Sequence, residues 1–290
     1  MIRIRGSARP SLVYTLFFFG SLCLCLLFLE NASGGAQLLQ GTNAADATTT
    51  ASAEAHPVLV ELFTSEGCSS CPPADALLEK MDAYQPIAGA QLIVLSEHVD
   101  YWDHDGWKDP NSSSALTERQ KSYEAVLRVN EPYTPQFIVD GSVELRQGDP
   151  QRVDNALKKA QAAAKIPVYI DELNVDAANP AVLRAHVRTG DNFDKHGANV
   201  YVALALDRVE SQVLHGENGG RHLVHVAVVR EITRVGKLPK GESFNQEVQL
   251  KLKPGEYPRN LRVIAFIQED GPGAVLGAAL RKPASKIENK

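Results

Sequence analysis

The feature that most constrains the fold is an apolar run that leads directly into a closely spaced cysteine pair. Residues 58–63 are rich in β-branched and other apolar side chains, which predicts a buried strand. Cys68 and Cys71 follow after a short turn, and residues 74–81 then carry apolar side chains at helical spacing. The cysteine pair is therefore predicted to lie where a strand passes into the first turn of a helix.

This position favours thiol chemistry. Amide groups and the positive end of the dipole at a helix N-terminus stabilise a thiolate, which is the reacting species in disulfide exchange. We predict Cys68, expected to be the more exposed, as the attacking thiol and Cys71 as the resolving thiol, with a Cys68–Cys71 disulfide as the oxidised form. The exchange reaction calls for no cofactor. An inert structural disulfide in a non-catalytic interaction module remains an alternative.

A soft metal ion is the other alternative for the cysteine pair. Structural zinc sites usually have four protein ligands, and the chain lacks a second C-x-x-C pair. Copper requires fewer ligands, and Cys68, Cys71 and His98 together are a suitable set. The sequence therefore leaves copper binding or copper delivery open as a second function.

The N-terminal residues predict export. Residues 1–11 carry three arginines and no acid, and residues 12–29 contain no charged side chain, the pattern of an export signal. The apolar run is also close to the length of a membrane span, so residues 1–30 are either a cleaved signal peptide or a retained anchor. Residues 31–56 are small and polar, which predicts a flexible linker. The folded part is then periplasmic or extracellular, where disulfides persist.

Net charge narrows the range of partners. The formal charge of −5 argues against a general nucleic-acid binder, which needs clustered lysine and arginine to neutralise phosphates. The predicted partners are therefore protein or peptide thiols and disulfides, together with an unidentified redox protein. Membrane contact is expected only through the N-terminal segment.

The folded part shows two kinds of pattern. Residues 57–165 alternate strand-like and helix-like segments, whereas residues 166–290 contain short β-type runs separated by Gly, Pro, Asn and Asp. The first pattern predicts an α/β domain and the second an all-β antiparallel sandwich of about seven strands. Because the second half shows no nucleophile or phosphate-binding loop, we predict that it binds or positions a partner.

Six segments carry a family resemblance: 60–75, 98–102, 106–110, 133–136, 216–221 and 228–230. Together they resemble the DUF1223 family of exported, thioredoxin-like proteins. The resemblance covers nearly all of the chain after the linker and implies a thioredoxin-like fold for the α/β domain. The family has no established activity, so the implied thiol exchange rests on similarity at the level of the fold.

The resemblance also implies roles for three further residues. Thioredoxin-like folds carry a cis-proline facing the cysteine pair, and the backbone of the preceding residue pairs with the substrate peptide; Thr134 and Pro135 fit this role. Such folds also carry a buried acid before the first cysteine as proton acceptor for the resolving thiol. Glu61 lies seven residues before Cys68, one more than in the family pattern. Glu61 is therefore either that base or an acid on the other face of its strand.

A loop rich in aromatic and acidic side chains is predicted to border the cysteines. Residues 97–107 follow the next strand-like run, and open α/β sheets bind ligands outside the carboxyl ends of their strands. Tyr101, Trp102 and Trp107 are candidate peptide-binding residues, with simple packing as the alternative. His98 in the same loop is predicted to tune the thiolate, to bind a metal or to be a hydrogen-bonded structural histidine.

Overall fold

The computed structural model describes residues 55–146, 150–192 and 197–283. The signal or anchor predicted at 1–30, and the predicted linker apart from its last two residues, lie outside these ranges. The strands and helices in the described ranges are β1 (His56–Thr64), α1 (Pro72–Tyr84), β2 (Ala90–His98), α2 (Ser114–Ser122), α3 (Glu124–Leu127), β3 (Gln136–Val139), β4 (Val143–Arg146), α4 (Pro150–Gln161), β5 (Val168–Val175), β6 (Val182–Thr189), β7 (Ala198–Gln212), β8 (His222–Leu238), β9 (Asn245–Lys251), β10 (Leu261–Glu269) and β11 (Val275–Arg281).

The N-terminal half has the predicted alternation of strands and helices. β1 pairs with β2 in parallel and with β3 antiparallel, and β3 pairs antiparallel with β4. Val58, Val60 and Leu62 of β1 pack with residues of α1 and α4, while Leu59 and Phe63 lie in other apolar clusters. β1 is thus buried on both faces, which explains its nearly continuous apolar run. None of the helices in the described ranges is long and apolar enough to span a membrane.

One sheet runs through both halves of the chain. β8 meets β2 at a parallel bridge between Ser96 and Val228, and the order of the sheet is β11-β10-β7-β8-β2-β1-β3-β4. The pattern of residues 166–290 predicts a separate antiparallel sandwich. Of the seven strands that the structure describes in that half, four instead extend the mixed sheet, and β5, β6 and β9 form a second, antiparallel sheet. Local patterning reports which residues are buried but not which strand lies alongside.

The second sheet still packs face to face with part of the first. Leu183 and Val187 of β6 share an apolar cluster with Val200 of β7 and Val263 of β10. β7 and β8 are also unusually long, at 15 and 17 residues. Because of this length, their hairpin can reach the carboxyl end of β1, where the cysteine pair lies.

Candidate functional site

Cys68 and Cys71 form a disulfide at the junction between β1 and α1. The Cys71 amide donates to the Cys68 carbonyl, and Cys71 then caps α1, its carbonyl accepting from the Asp75 amide. The two prolines that follow occupy the first helical positions, where a missing N–H costs little. Both cysteines are 0 % exposed, whereas Ser69 and Ser70 between them are exposed. The expected greater exposure of Cys68 is therefore wrong for the oxidised form.

The tip of the β7–β8 hairpin covers the cysteine turn. Asn218 is fully buried, and its side-chain amide donates to the carbonyl oxygens of Glu66 and Cys68 at 2.8 and 2.9 Å. At the surface, the Ser69 amide donates to the Glu217 carboxylate at 3.2 Å. Sequence reasoning missed Asn218 because a tip rich in glycine and asparagine is ordinarily solvent-exposed. The signal that pointed to it was the family resemblance of this segment.

Trp102 connects the cysteine turn to the predicted substrate-binding residues. Its Cβ lies 3.0 Å and its carbonyl oxygen 3.2 Å from where a Cβ on Gly67 would stand, so Trp102 packs closely against the turn. The indole Nε1 donates to Thr134 Oγ1 at 2.8 Å. The Thr134–Pro135 peptide bond is cis, as the resemblance implied, and Pro135 is buried. The structure thus brings Trp102, Thr134 and the cysteine turn together.

The other two aromatic candidates, Tyr101 and Trp107, also donate hydrogen bonds to other side chains of the protein. The Tyr101 hydroxyl donates to Gln120 Oε1 at 3.2 Å, and burial raises the pKa of Tyr101 to about 12. Trp107 Nε1 donates to Glu66 Oε2 at 2.8 Å. Tyr101, Trp102 and Trp107 are all half-buried. Each therefore packs through its polar atom and leaves part of its ring at the surface.

Five buried titratable side chains gather near the disulfide, and we call them the histidine–carboxylate cluster: Glu66, Asp75, His98, Asp109 and His225. His98 Nδ1 lies 2.7 Å from Asp109 Oδ2, and the rings of His98 and His225 are 4.7 Å apart. His225 Nε2 lies 3.6 Å from Glu66 Oε1, and its Nδ1 lies 3.7 Å from Asp75 Oδ1. Residues from the cysteine turn, α1, the end of β2, the following loop and β8 meet here.

Electrostatics make His98 and Asp109 an ion pair. Burial alone would lower the pKa of His98, but the carboxylates of Asp109, Asp75 and Glu66 outweigh it and raise that pKa. Burial alone would raise the pKa of Asp109. His98 and the hydrogen bonds from the Glu66 and Asn111 amides instead lower it to about 2. Each member of this pair therefore favours the charged form of the other.

Several other polar atoms of the cluster have no hydrogen-bond partner within the described part of the chain. They are both carboxylate oxygens of Asp75, both ring nitrogens of His225 and Nε2 of His98. Buried polar atoms without a partner are rare, because each forfeits its interaction with water. An arrangement this costly is typical of a functional site.

Copper binding by Cys68, Cys71 and His98 stays a prediction, because the two cysteines are bonded to each other in this structure. In the ranges that the structure describes, no three or more His, Cys, Asp or Glu side chains are arranged to hold a metal ion. His98 instead contacts Asp109 and His225. The imidazole predicted as the third ligand is therefore part of the histidine–carboxylate cluster.

Glu61 belongs to a different buried network. Arg119 Nε donates to Glu61 Oε1 at 2.7 Å, and the Tyr123 hydroxyl donates to Oε2 at 2.6 Å. Glu61 lies between Val60 and Leu62, both packed on the α1 side, so its side chain points to the opposite face of the sheet. The extra residue between Glu61 and the first cysteine accounts for this orientation, because a shift of one residue along a strand moves a side chain to the other face. The structure therefore separates the predicted base from the cysteine pair.

Comparisons with known proteins agree with this architecture. Protein AGR_C_4864 from Agrobacterium tumefaciens is 27% identical, with a TM-score of 0.62 over 82% of this chain and 99% of that one. HBP35 of Porphyromonas gingivalis is 17% identical, with a TM-score of 0.61 over 81% and 78% of the two chains, a likeness in fold alone. No curated protein matches the chain. The family model DUF1223, described as "Protein of unknown function", matches residues 59–268, and the chain therefore belongs to the DUF1223 family.

Proposed function

We propose that this protein is an exported thiol:disulfide oxidoreductase that acts by exchange at Cys68 and Cys71. The observation that carries the proposal is the disulfide at the start of α1, with Cys71 as the N-cap residue. Amide groups at a helix start stabilise the thiolate that reduction produces. The strand order β2-β1-β3-β4, with α1 between β1 and β2, supports a thioredoxin-like fold for this half.

Exchange proceeds in two balanced steps. In the reduced protein, the Cys68 thiolate attacks one sulfur of a substrate disulfide; a bond to Cys68 forms, the substrate bond breaks, and the departing sulfur takes up a proton. The Cys71 thiolate then attacks Cys68 Sγ, which closes the Cys68–Cys71 disulfide and releases the second substrate sulfur as a thiol. Two electrons pass to the substrate, and the reverse sequence oxidises a substrate dithiol.

Exchange requires a partner to reach the sulfur atoms, and in the oxidised structure, which we call the closed form, they are inaccessible. Neighbouring residues bury both cysteines completely, so a partner reaches Cys68 only after the covering side chains move. The exposed Ser69 and Ser70 mark the side from which a partner approaches. Trp102 and Thr134 border the same turn, which supports a substrate-binding role for them.

The first test is the reduction potential of the pair, measured by equilibrating the full-length protein with glutathione buffers. A chain carrying Cys23→Ser and Cys25→Ser is the background, since it keeps only the pair in question. We expect a potential above roughly −250 mV, in the range of exchanging proteins. In that background Cys68→Ser should abolish exchange with a protein disulfide, and Cys71→Ser should accumulate mixed disulfides. A potential below about −300 mV with no mixed disulfide would identify a structural bridge.

A further inference from the structure

Asp75 lies one helical turn after Cys71, on the same buried face of α1. Residues four apart on a helix have Cβ atoms about 5–6 Å apart, and helical side chains lean toward the N-terminus. This geometry places the Asp75 side chain on the same side of the helix as the Cys71 side chain. Asp75 is 6 % exposed and Cys71 0 %, so water is largely excluded from the space between them.

The Asp75 carboxylate lacks a donor in the oxidised protein. Neither oxygen has a hydrogen-bond partner among the described residues. Leaving a buried carboxylate without donors is costly, and a neighbouring S–H group would supply one. Cys71 carries such a group only after the disulfide is reduced. The Asp75 carboxylate can therefore gain a hydrogen-bond donor from Cys71 only when the cysteine pair is reduced.

The imidazole ring of His225 lies next to the Asp75 carboxylate. Its Nδ1 lies 3.7 Å from Asp75 Oδ1 and its Nε2 lies 3.6 Å from Glu66 Oε1. Both distances are longer than a hydrogen bond, so the ring lies between two carboxylates without being bonded to either. The remaining charged groups that face this space are His98, whose ring contacts His225, and Asp109, which is paired with His98.

We propose that Asp75 is the proton acceptor for Cys71 in the exchange reaction and that His225 is a positioning residue behind it. The inference rests on the proposed function and assigns the acid–base role within it. In the resolving step the Cys71 proton moves to an Asp75 carboxylate oxygen as the Cys71–Cys68 bond forms. The bond between Cys68 and the substrate breaks, and the departing sulfur keeps the electron pair and takes a proton from water. Asp75 later returns its proton to solvent.

An aromatic disulfide that releases a coloured thiol separates the two chemical steps. Mixing the reduced protein, in the Cys23→Ser and Cys25→Ser background that serves as wild type here, with 5,5′-dithiobis(2-nitrobenzoate) releases one equivalent of dye when Cys68 attacks and a second when Cys71 resolves the mixed disulfide. For Asp75→Asn we expect the first phase within twofold of wild type at neutral pH. The second phase should be slowed by about 10²-fold, the low end of general-base effects, and its pH profile should be displaced.

Glu79→Gln is the matched control, because it removes an acid one turn further along α1 that is ion-paired with Arg208. Its two phases should both remain as in wild type. Asp75→Glu, which keeps the carboxylate, should recover part of the second phase. His225→Gln should slow the second phase less than Asp75→Asn and displace its pH profile in the same direction.

The outcomes separate the two proposals. A wild-type protein that releases no second equivalent of dye lacks resolving chemistry, and the proposed function falls together with this inference. A wild-type protein with two phases, combined with an unchanged second phase in Asp75→Asn, overturns the inference alone. If Asp75→Asn does not fold, Asp75→Glu and His225→Gln provide the test. A second phase with the wild-type pH profile in both variants would overturn the assignment of Asp75 as the proton acceptor for Cys71.

Discussion

Two buried networks of charged side chains flank β1, and their polar atoms are satisfied to different degrees. In the first, which we call the Glu61 network, the Glu61 carboxylate accepts hydrogen bonds from Arg119 and Tyr123. Glu97 belongs to the same network; its two carboxyl oxygens have no hydrogen-bond partner in the described structure, but Arg119 Nε lies 3.5 Å from one of them. In the histidine–carboxylate cluster, Asp75 and His225 have four such unpartnered atoms, and the ion-pair partner of Asp75 is His225 at 3.7 Å. The first network therefore holds a permanently charged arginine beside its unpartnered oxygens, whereas the second relies on histidine.

Charge balance shows the same contrast. Burial, together with the neighbouring Glu61, raises the pKa of Glu97 well above its ordinary value. Burial would lower the pKa of Arg119, but Glu61, Tyr123 and Glu97 outweigh it and raise that pKa. One guanidinium therefore lies beside two carboxyl groups, of which Glu97 holds its proton more tightly than usual. The cluster around His225 instead contains three carboxylates and two histidines.

The largest expected effect tests whether the Glu61 network is structural. Arg119→Met leaves the Glu61 carboxylate buried without its cation, and we expect the free energy of unfolding to fall by about 3–5 kcal/mol. Urea denaturation measures it. Arg146→Met is the control, because Arg146 is 71 % exposed and its pairing with Glu144 should contribute less than about 1 kcal/mol. Similar losses in the two variants would remove the contrast between the networks.

The next effect concerns the cover over the cysteine turn. Asn218→Ala removes two hydrogen bonds to buried carbonyl groups, which destabilises the closed form by about 1–3 kcal/mol. Since 1.4 kcal/mol corresponds to a factor of ten, we expect reduction of the disulfide by tris(2-carboxyethyl)phosphine to accelerate about tenfold or more. Thiol labelling over time follows the reaction. Asn174→Ala, an exposed asparagine on β5, should leave the rate unchanged.

An Asn218→Ala protein reduced at the wild-type rate would show that the hairpin tip does not limit access. Trp102, which packs on Gly67, would then be the covering group.

Local features of the site could be predicted from sequence because each depends on a few adjacent residues. The strand before Cys68, the helix after Cys71 and the cis peptide bond between Thr134 and Pro135 all follow from short patterns or from the family resemblance. The sequence also shows why Glu61 lies away from the cysteine pair, because one extra residue separates it from Cys68. On a strand, one residue decides which face a side chain occupies.

The long-range part of the site could not be predicted in this way. Asn218 is 150 residues from Cys68 in sequence, and His225 meets Asp75 only because β8 joins the sheet next to β2. Strand alternation predicts that a residue is buried, but the neighbouring strand is set by tertiary packing. For this reason the sequence pattern of residues 166–290 predicts a separate sandwich and gives no sign that His225 and Asn218 lie near the cysteines.

The smallest expected effect is a pH dependence of stability that distinguishes the Glu61 network. The raised pKa of Glu97 in the folded state means that folding favours its protonated form. This contribution is fully present below the unfolded pKa of about 4.3 and is lost as pH rises through the folded value. Glu97→Gln keeps a neutral side chain at every pH. Its unfolding free energy, relative to wild type, should therefore increase from pH 4 to pH 8 in urea titrations.

Glu118→Gln is the control for that titration, because Glu118 is 69 % exposed and should show no comparable trend. If the advantage of Glu97→Gln instead shrinks as pH rises, Glu97 is ionised in the folded protein, and two carboxylates then share one guanidinium. The Glu61 network would then carry an excess of negative charge. Charge balance would then no longer separate the Glu61 network from the histidine–carboxylate cluster.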